Sequence, residues 1–232
     1  SCDMTAIKKI ASKYNLLIIE DCAQAILTKW KGRLVGTFGS AGTISFFPGK
    51  NLGAYGDAGG IITNQTNLFK KMKMFANHGG LVKHQHEIEG INSRMDGLQA
   101  AILDVKIQYI EKWIDQRRSA AEMYNYHLAD ISELALPKVH KNTFHSYHLY
   151  VVEAANRDKL AKYLNGINIA TGIHYPKPLP ALECYKSHKL DLEDFPRAVS
   201  SAKSILSLPM FPEITEEQVK YVSSAIKAHY LK

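Results

Sequence analysis

Alternating apolar and polar stretches predict an α/β arrangement for the first half of the chain. Asp3 is a suitable helix N-cap, and apolar residues follow it at helical spacing as far as Ala11. The continuous apolar run at residues 16–19 predicts a strand covered on both faces, and it ends at the acidic pair Glu20–Asp21. A helix followed by such a strand is typical of a layered fold with a parallel sheet, whose ligands bind beyond the carboxyl ends of the strands.

The pattern changes character in the second half of the chain, which predicts an α+β arrangement. The first half predicts further strands at residues 43–47 and 59–64, a glycine-rich loop at 48–60, and helices at 66–77 and 95–131, the last broken near 113–115. The second half predicts strands at residues 146–153 and 167–175 and helices at 157–165, 195–206 and 215–229. We therefore predict a domain boundary near residue 112, with one domain at 1–112 and another at 113–232.

The composition favours a soluble globular protein, since 46% of the 232 residues are hydrophobic and 22% are charged. We expect neither a membrane span nor an export signal, because no apolar run approaches the ~18 to 20 residues that a span needs. The basic side chains number 29 against 22 acidic ones, but they are scattered along the chain, so we expect no nucleic-acid partner.

The cysteines and histidines predict neither a disulfide framework nor a metal site. Cys2, Cys22 and Cys184 are odd in number, widely spaced and without a C-x-x-C pair, so a reducing cytoplasm is the expected location. Histidines near residues 84–86 and 140–148 lack a metal-ligand spacing with carboxylates.

Lys50 is the first candidate for chemistry, because it follows a predicted strand and a Pro-Gly turn and precedes the glycine-rich loop. A partly desolvated lysine has a lowered pKa, and its neutral amine can bond to a carbonyl carbon. The alternative is an ordinary surface lysine. Asp21 is the second candidate, since a carboxylate at the end of a buried strand needs a partner, and a cationic ring nitrogen would serve. A helix N-cap or an ion pair with Arg33 are the alternatives for Asp21.

Ordered motifs along nearly the whole chain resemble the DegT/DnrJ/EryC1/StrS family of sugar aminotransferases. The motifs lie at residues 20–25, 31–39, 45–60, 77–79, 90–101, 172–176 and 206–210. The resemblance implies the type I pyridoxal phosphate aminotransferase fold, an α/β fold with a large mixed-sheet domain and a small α+β C-terminal domain. It implies that residues 1–112 are the latter part of the large domain and that 113–232 form the small one.

The resemblance also implies a role for each matching residue around the cofactor, pyridoxal 5'-phosphate. Lys50 matches the lysine that binds the cofactor covalently and moves the proton between substrate and cofactor. Asp21 matches the partner of the pyridinium nitrogen, Gln24 the side chain beside the ring and its phenolic oxygen, and Ser45 a phosphate ligand. Asn92 matches the residue that reaches the cofactor phosphate of the neighbouring subunit, which implies a homodimer with shared active sites.

Four further residues, His78, Arg94, His174 and Tyr175, lie in motifs that border the substrate. The implied reaction moves an amino group, with L-glutamate as the expected donor, to a keto group of a nucleotide-linked deoxysugar. The segment at residues 172–176 is more similar to members that act at C-3 than to those that act at C-4. The products of such enzymes enter antigens, including lipopolysaccharide, as well as glycans and antibiotics.

Two departures from the family pattern keep other functions open. Ile26–Leu27 stands where members often have His-Gly, so a polar group near the site is absent or replaced. The likeness also begins well inside the family pattern, and the portion before it, roughly a third of a member, ordinarily grips the phosphate at a helix N-terminus. The alternatives are therefore a catalytically inactive or regulatory relative and a module that binds nucleotide sugars without cofactor.

Overall fold

The computed structural model describes residues 1–231 and divides into two compact units. The first contains Ser1–Asp115 and Val139–His148, and the second contains Gln116–Lys138 and the residues from Leu149 onward. The assignment of residues 1–112 and 113–232 to two domains remains a prediction.

The units are built from helices of about ten residues or more and from short strands. The helices are α1 (Met4–Tyr14), α2 (Thr66–Ala76), α3 (Gly97–Ile107), α4 (Ile110–Leu128), α5 (Arg157–Gly166), α6 (Pro196–Ser204) and α7 (Glu216–Tyr230). The strands are β1 (Ile19–Asp21), β2 (Lys29–Trp30), β3 (Arg33–Leu34), β4 (Ala41–Ser45), β5 (Gly59–Ile62), β6 (Leu134–Ala135), β7 (Thr143–Phe144), β8 (Tyr150–Ala154) and β9 (Ile205–Leu208). Short 3-10 turns cover Leu179–Ala181, Glu183–His188 and Leu192–Asp194.

The first unit carries two small sheets. In one, β4 lies between β1, to which it is parallel, and β5, to which it is antiparallel. In the other, β2 lies between β3 and β7 and is antiparallel to both. Asp21 pairs with Thr43 in the parallel register, so β1 and β4 end at the same edge of their sheet. An apolar cluster in this unit contains Leu52, Ala54, Leu103, Ile110 and Ile114, all of them buried.

The second unit has one antiparallel sheet, in which β8 lies between β6 and β9. Helix α5 contacts β8, β9 and α7, and its Leu160 and Leu164 are fully buried. Tyr124 and Tyr150 stack with their ring centroids 4.8 Å apart, and the Tyr124 hydroxyl donates to the carbonyl of Pro209. Burial raises the pKa of the Tyr124 hydroxyl, because an ionised phenolate is poorly solvated there.

Most predicted helices and several strands lie within a few residues of the observed ones. Helix α1 begins after its Asp3 N-cap as predicted, and α2, α5 and α7 match their predicted ranges closely. The break in the long helical region is wrong by about five residues, because α3 ends at Ile107 and α4 begins at Ile110.

Two strand predictions are wrong. The run at residues 16–19 is not a strand covered on both faces: β1 begins only at Ile19, and Leu17 is 86% exposed. Residues 167–175 form no strand, and only Gly172 makes an isolated bridge to Ser207. The helix predicted at 195–206 ends at Ser204, because the buried run Ile205–Leu208 pairs with β8 instead.

Candidate active site

The parallel strands β1 and β4 bring two predicted cofactor ligands to one edge of their sheet. Asp21 is the last residue of β1, and Ser45 is the last residue of β4. Side chains alternate between the faces of a strand, so Asp21, its partner Thr43, and Ser45 share one face. The Asp21 carboxylate accepts a hydrogen bond from the Ala23 amide at 3.0 Å, which starts the turn that follows the strand.

Lys50 lies in a closed loop that leaves β4 at this edge. The Lys50 amide donates to the carbonyl of Phe47 at 2.9 Å, and the Ala54 amide donates to the carbonyl of Phe46 at 2.8 Å, so the loop is pinned at its base. Gly53 is required here, because a Cβ atom at that position would lie 2.3 Å from the carbonyl oxygen of Pro48. Next to Lys50, the buried Asn51 donates from its side-chain amide to the carbonyl of Ser146 at 2.9 Å.

The electrostatics of Lys50 and Asp21 are linked. Burial lowers the pKa of the Lys50 amine, since the ammonium form loses solvation, and the carboxylate of Asp21 acts in the opposite direction. A lowered pKa leaves a larger fraction of an amine neutral, and the neutral amine is the form that acts as a nucleophile.

The structure shows neither of the two alternative roles for Asp21. Arg33 donates from Nε to the Thr37 hydroxyl at 2.9 Å, and its guanidinium lies 4.7 Å from the ring centroid of Phe38, so it turns to its own loop and not to Asp21. Asp21 accepts from Ala23 in a turn and does not begin a helix. Gln24 lies exposed in that same turn, one residue after Ala23.

Glu20 is a site residue that the sequence patterns did not single out. Its buried carboxylate accepts hydrogen bonds from the backbone amides of Gly36, Phe38 and Gly39 at 2.6, 2.6 and 2.7 Å. Glu20 lies on the face of β1 opposite to Asp21. Glu20 ties the loop of residues 36–39 to the strand that presents Asp21. In the sequence, only its position beside Asp21 indicated that Glu20 would lie near the site.

Three of the predicted phosphate and substrate residues form a second group in the first unit. Arg94 donates from Nε to the side-chain oxygen of Asn92 at 3.1 Å and from a terminal nitrogen to the side-chain oxygen of Asn77 at 3.2 Å. The backbones of Asn77 and Asn92 also form a bridge. His78 follows directly, and its carbonyl lies 2.7 Å from Nδ1 of His86. Asn92, Arg94 and His78 are exposed to solvent.

The remaining two predicted substrate residues, His174 and Tyr175, lie in the second unit. Nδ1 of His174 is 2.8 Å from the hydroxyl of Ser207, and the adjacent Tyr175 ring is 63% exposed. Ser207 is buried and also exchanges two backbone hydrogen bonds with Gly172. Ser207 is thus a partner of His174 that only the motif at 206–210 pointed to.

The side chains at the edge of β1 and β4 match the chemistry of pyridoxal 5'-phosphate. An amine of lowered pKa suits the aldehyde, a carboxylate suits a protonated ring nitrogen, and a hydroxyl suits a phosphate oxygen. Within residues 1–231, no group of three or more His, Cys, Asp or Glu side chains is placed to bind a metal ion. None of the helices in this part of the chain has the length and apolar character required to cross a bilayer.

Comparison with known proteins assigns the chain to a family. Residues 1–227 match the model of the DegT/DnrJ/EryC1/StrS aminotransferase family. The chain belongs to this family. The DegT/DnrJ/EryC1/StrS proteins are pyridoxal phosphate-dependent sugar aminotransferases, so the resemblance seen in the motifs is confirmed.

Individual members of the DegT/DnrJ/EryC1/StrS family are similar over almost the whole chain. A pleiotropic regulatory protein of Geobacillus stearothermophilus is 44% identical over 98% of this chain and 62% of its own length. The dTDP-3-amino-3,4,6-trideoxy-alpha-D-glucose transaminase of Streptomyces venezuelae is 35% identical over 97% of this chain and 59% of its own length.

A solved structure of the DegT/DnrJ/EryC1/StrS family establishes the fold. The S. venezuelae protein DesV, in complex with a ketimine intermediate, superimposes with a TM-score of 0.96 at 34% identity, over 100% of this chain and 62% of DesV. The chain thus has the type I aminotransferase fold, α/β with mixed sheets, as predicted. It spans 62% of the length of both DesV and the Geobacillus relative.

Proposed function

We propose that this protein is a pyridoxal phosphate-dependent aminotransferase that acts on nucleotide-linked keto sugars. The observation that carries the proposal is the placement of Asp21 at the end of β1 and of Lys50 in the loop that leaves β4 at the same edge of the sheet. An amine whose pKa is lowered by burial lies within the field of a carboxylate at the carboxyl edge of parallel strands. An ordinary surface lysine would have neither the burial nor the partner.

Each residue at this edge has a proposed task. When bound, pyridoxal phosphate supplies a ring that withdraws electrons from the carbon bearing the amino group. Lys50 would hold the cofactor covalently, and its Nζ, when neutral, would be the group that takes up and gives back the proton of the substrate carbon. Asp21 would keep the ring nitrogen protonated, and Ser45 and the partner subunit's Asn92 would bind the phosphate. Gln24 would hold the phenolic oxygen.

The proposed substrates follow from the family and from one relative. The name of the S. venezuelae transaminase describes a dTDP-linked sugar with its amino group at carbon 3, so we propose a keto group at C-3 as the acceptor. We propose L-glutamate as the donor, as the family resemblance implies. His78, Arg94, His174 and Tyr175 are the residues proposed to border the sugar nucleotide. Cys2, Cys22 and Cys184 are free, which fits a reducing cytoplasm as the proposed location.

Cofactor binding through Lys50 can be tested directly. Incubation of the protein with pyridoxal phosphate is expected to give a visible absorption band that borohydride bleaches. Mass spectrometry of the reduced protein should then find the adduct on the peptide that contains Lys50. Lys50→Ala should lose the band and transamination, whereas Lys70→Ala, which changes an exposed lysine of α2, should keep both. A band and full activity in Lys50→Ala would refute the proposal.

A regulatory role is a second candidate, favoured by the name of the Geobacillus relative. Under this alternative the protein binds a nucleotide sugar but forms no adduct with pyridoxal phosphate. Calorimetric titration with nucleotide-linked keto sugars separates the two, because binding without the visible band would support the regulatory role alone.

A further inference from the structure

One face of α3 holds the segment that follows Lys50. Gln99, Leu103 and Lys106 are spaced four and then three residues apart, so they lie on one face of the helix. Gln99 and Lys106 make hydrogen bonds to the segment Leu52–Gly56, and Leu103 belongs to the same apolar cluster as two residues of that segment. The contacts are polar at both ends of the helix and apolar in the middle.

The two polar contacts are made to the backbone of the segment. The side-chain oxygen of Gln99 accepts a hydrogen bond from the Tyr55 amide at 2.8 Å. The Lys106 ammonium donates to the carbonyl of Gly53 and also lies 5.3 Å from the ring centroid of Tyr55. Because backbone groups are held, these contacts fix the path of the segment whatever its side chains are.

The apolar contact links the segment to the interior of the first unit. Leu103 belongs to the buried cluster that contains Leu52 and Ala54, which are 2% and 0% exposed. The Ala54 amide in turn donates to Phe46, at the base of the loop that carries Lys50. A displacement of residues 52–56 would therefore reach Lys50 within two residues along the chain.

We propose that Gln99 and Lys106 are positioning residues, which clamp the segment Leu52–Gly56 against α3 and thereby hold Lys50 in its partly buried setting. This inference rests on the proposed function for its catalytic meaning, but the clamp itself is a property of the protein without cofactor. Both residues act on backbone groups of the segment, and neither is among the proposed substrate or cofactor ligands.

The charges around Lys50 give the expected direction of the effect. Burial lowers the pKa of Lys50, and Asp21 on β1 opposes it. The positive group in the clamp is Lys106 on α3, which donates to Gly53. If the segment loosens, Lys50 gains water, the burial effect weakens, and its pKa rises toward the ordinary value. A smaller fraction of the amine is then neutral at a given pH.

The test is competitive acetylation of the cofactor-free protein by acetic anhydride across a range of pH, with mass spectrometry of the peptide that contains Lys50. Gln99→Leu removes the acceptor for Tyr55 and changes no charge, so its effect reports position alone. Lys106→Met removes the donor together with a charge, and Lys106→Arg keeps both. Asp104→Asn, an exposed change on the same helix, is the control.

We expect Gln99→Leu and Lys106→Met to lower the acetylation rate of Lys50 near pH 8 by about threefold or more, because the Lys50 pKa rises as its burial is lost. Lys106→Arg and Asp104→Asn should match the original protein. Faster hydrogen exchange of the Tyr55 amide should accompany the change in Gln99→Leu.

An unchanged Lys50 profile in a folded Gln99→Leu protein would overturn the clamp. If Gln99→Leu does not fold, the comparison of Lys106→Met with Lys106→Arg decides in its place. Equal Lys50 profiles overturn the clamp, and so does a slower Lys106→Met whose Tyr55 amide exchanges at the original rate, because loss of the charge alone would explain it. A slower Lys106→Met in which the Tyr55 amide also exchanges faster supports the clamp. Acetylation needs no pyridoxal phosphate, so a failure here is distinct from a failure of the visible band.

Discussion

Glu20 and Asp21 are neighbours of the same charge, yet the strand directs them to opposite faces and to different tasks. Glu20 is buried and accepts from three backbone amides, so it holds the loop of residues 36–39 in place. Asp21 lies at the end of the strand, where its carboxylate acts on Lys50. At the scale of single residues, a structural carboxylate thus supports the strand that presents the carboxylate for which we propose a function.

Removal of the Glu20 carboxylate should weaken the fold markedly. Glu20→Ala leaves three amides without their acceptor in a partly buried loop, and we expect the free energy of unfolding to fall by about 3 kcal/mol or more. Glu20→Gln keeps the shape and one acceptor oxygen, so it should lose less. Urea denaturation of both variants measures the difference, and equal stabilities of Glu20→Ala and the original protein would contradict this role of Glu20.

Cys22 should make the stability of the protein depend on pH in alkaline solution. Burial, followed by the charges of Glu20 and Asp21, raises the pKa of the Cys22 thiol to about 11. A pKa that is higher in the folded state gives stability that is complete below about pH 9 and is lost as the pH rises toward 11.

The Cys22 prediction is checked by comparison with Cys22→Ala. The stability difference between the two proteins should be constant up to about pH 9 and should then shift against the original protein by up to about 2 kcal/mol. Cys184→Ala, which changes an exposed thiol, should show no such shift. A difference that stays flat to pH 11 would contradict the prediction.

The positions of some candidate site residues relative to the strands could be expected from the sequence, because their signals are local. Asp21 and Ser45 end strands and Lys50 follows one, within motifs that can be read along the chain. Gln99 and Lys106 could not be predicted, because their partners Tyr55 and Gly53 lie 44 and 53 residues away. A helical pattern shows that such residues share a face but does not show what that face contacts.

At the scale of elements, the helices were predicted better than the strands, for the same reason. Helix α7 has a capping box of Thr215 and Gln218 and a regular buried face, both of which are local features. Strand β9 pairs with β8, more than fifty residues earlier, so the buried run at residues 205–208 gave no sign of its partner. Residues 167–175 resemble a strand in composition, but only Gly172 is bridged.

Two glycines of the glycine-rich loop should respond differently to replacement by alanine. Gly53→Ala would place Cβ 2.3 Å from a backbone oxygen, which cannot move aside as a flexible side chain can. We expect a loss of about 2 kcal/mol or more in stability and a loss of the Lys50 adduct. Gly49→Ala is the matched control, since its Cβ would meet only the Phe47 ring at 3.8 Å. Equal stabilities of the two variants would contradict the prediction.

At the scale of the whole molecule, the exposed apolar residues of α3 indicate that this helix binds another chain. The helix is apolar on most of its circumference, yet Leu103 is its only buried residue, while Leu98, Val105 and Ile107 are more than half exposed. A helix of this composition is normally enclosed. We propose that a second copy of this chain covers the side of α3 that carries Leu98 and Val105, in keeping with the shared active sites that the family resemblance implies for Asn92.

A charge on the outer side of α3 should oppose this association. Val105→Glu should raise the dissociation constant of the dimer by about tenfold or more, because a carboxylate would be buried at the contact. Sedimentation equilibrium over a range of protein concentrations measures it. Asn67→Asp adds a negative charge at an exposed polar position of α2 and is the control. A monomeric original protein, or a Val105→Glu protein that dimerises equally well, would contradict the proposal.

The division into two units has an optical consequence. Both tryptophans of the chain, Trp30 and Trp113, lie in the first unit, while the second unit carries aromatic residues such as the stacked pair Tyr124 and Tyr150. Fluorescence excited at the red edge of indole absorption thus reports on one unit, and far-ultraviolet dichroism reports on both. Melting curves from the two signals would coincide only if the units unfold together, and a gap between them would measure their separate stabilities.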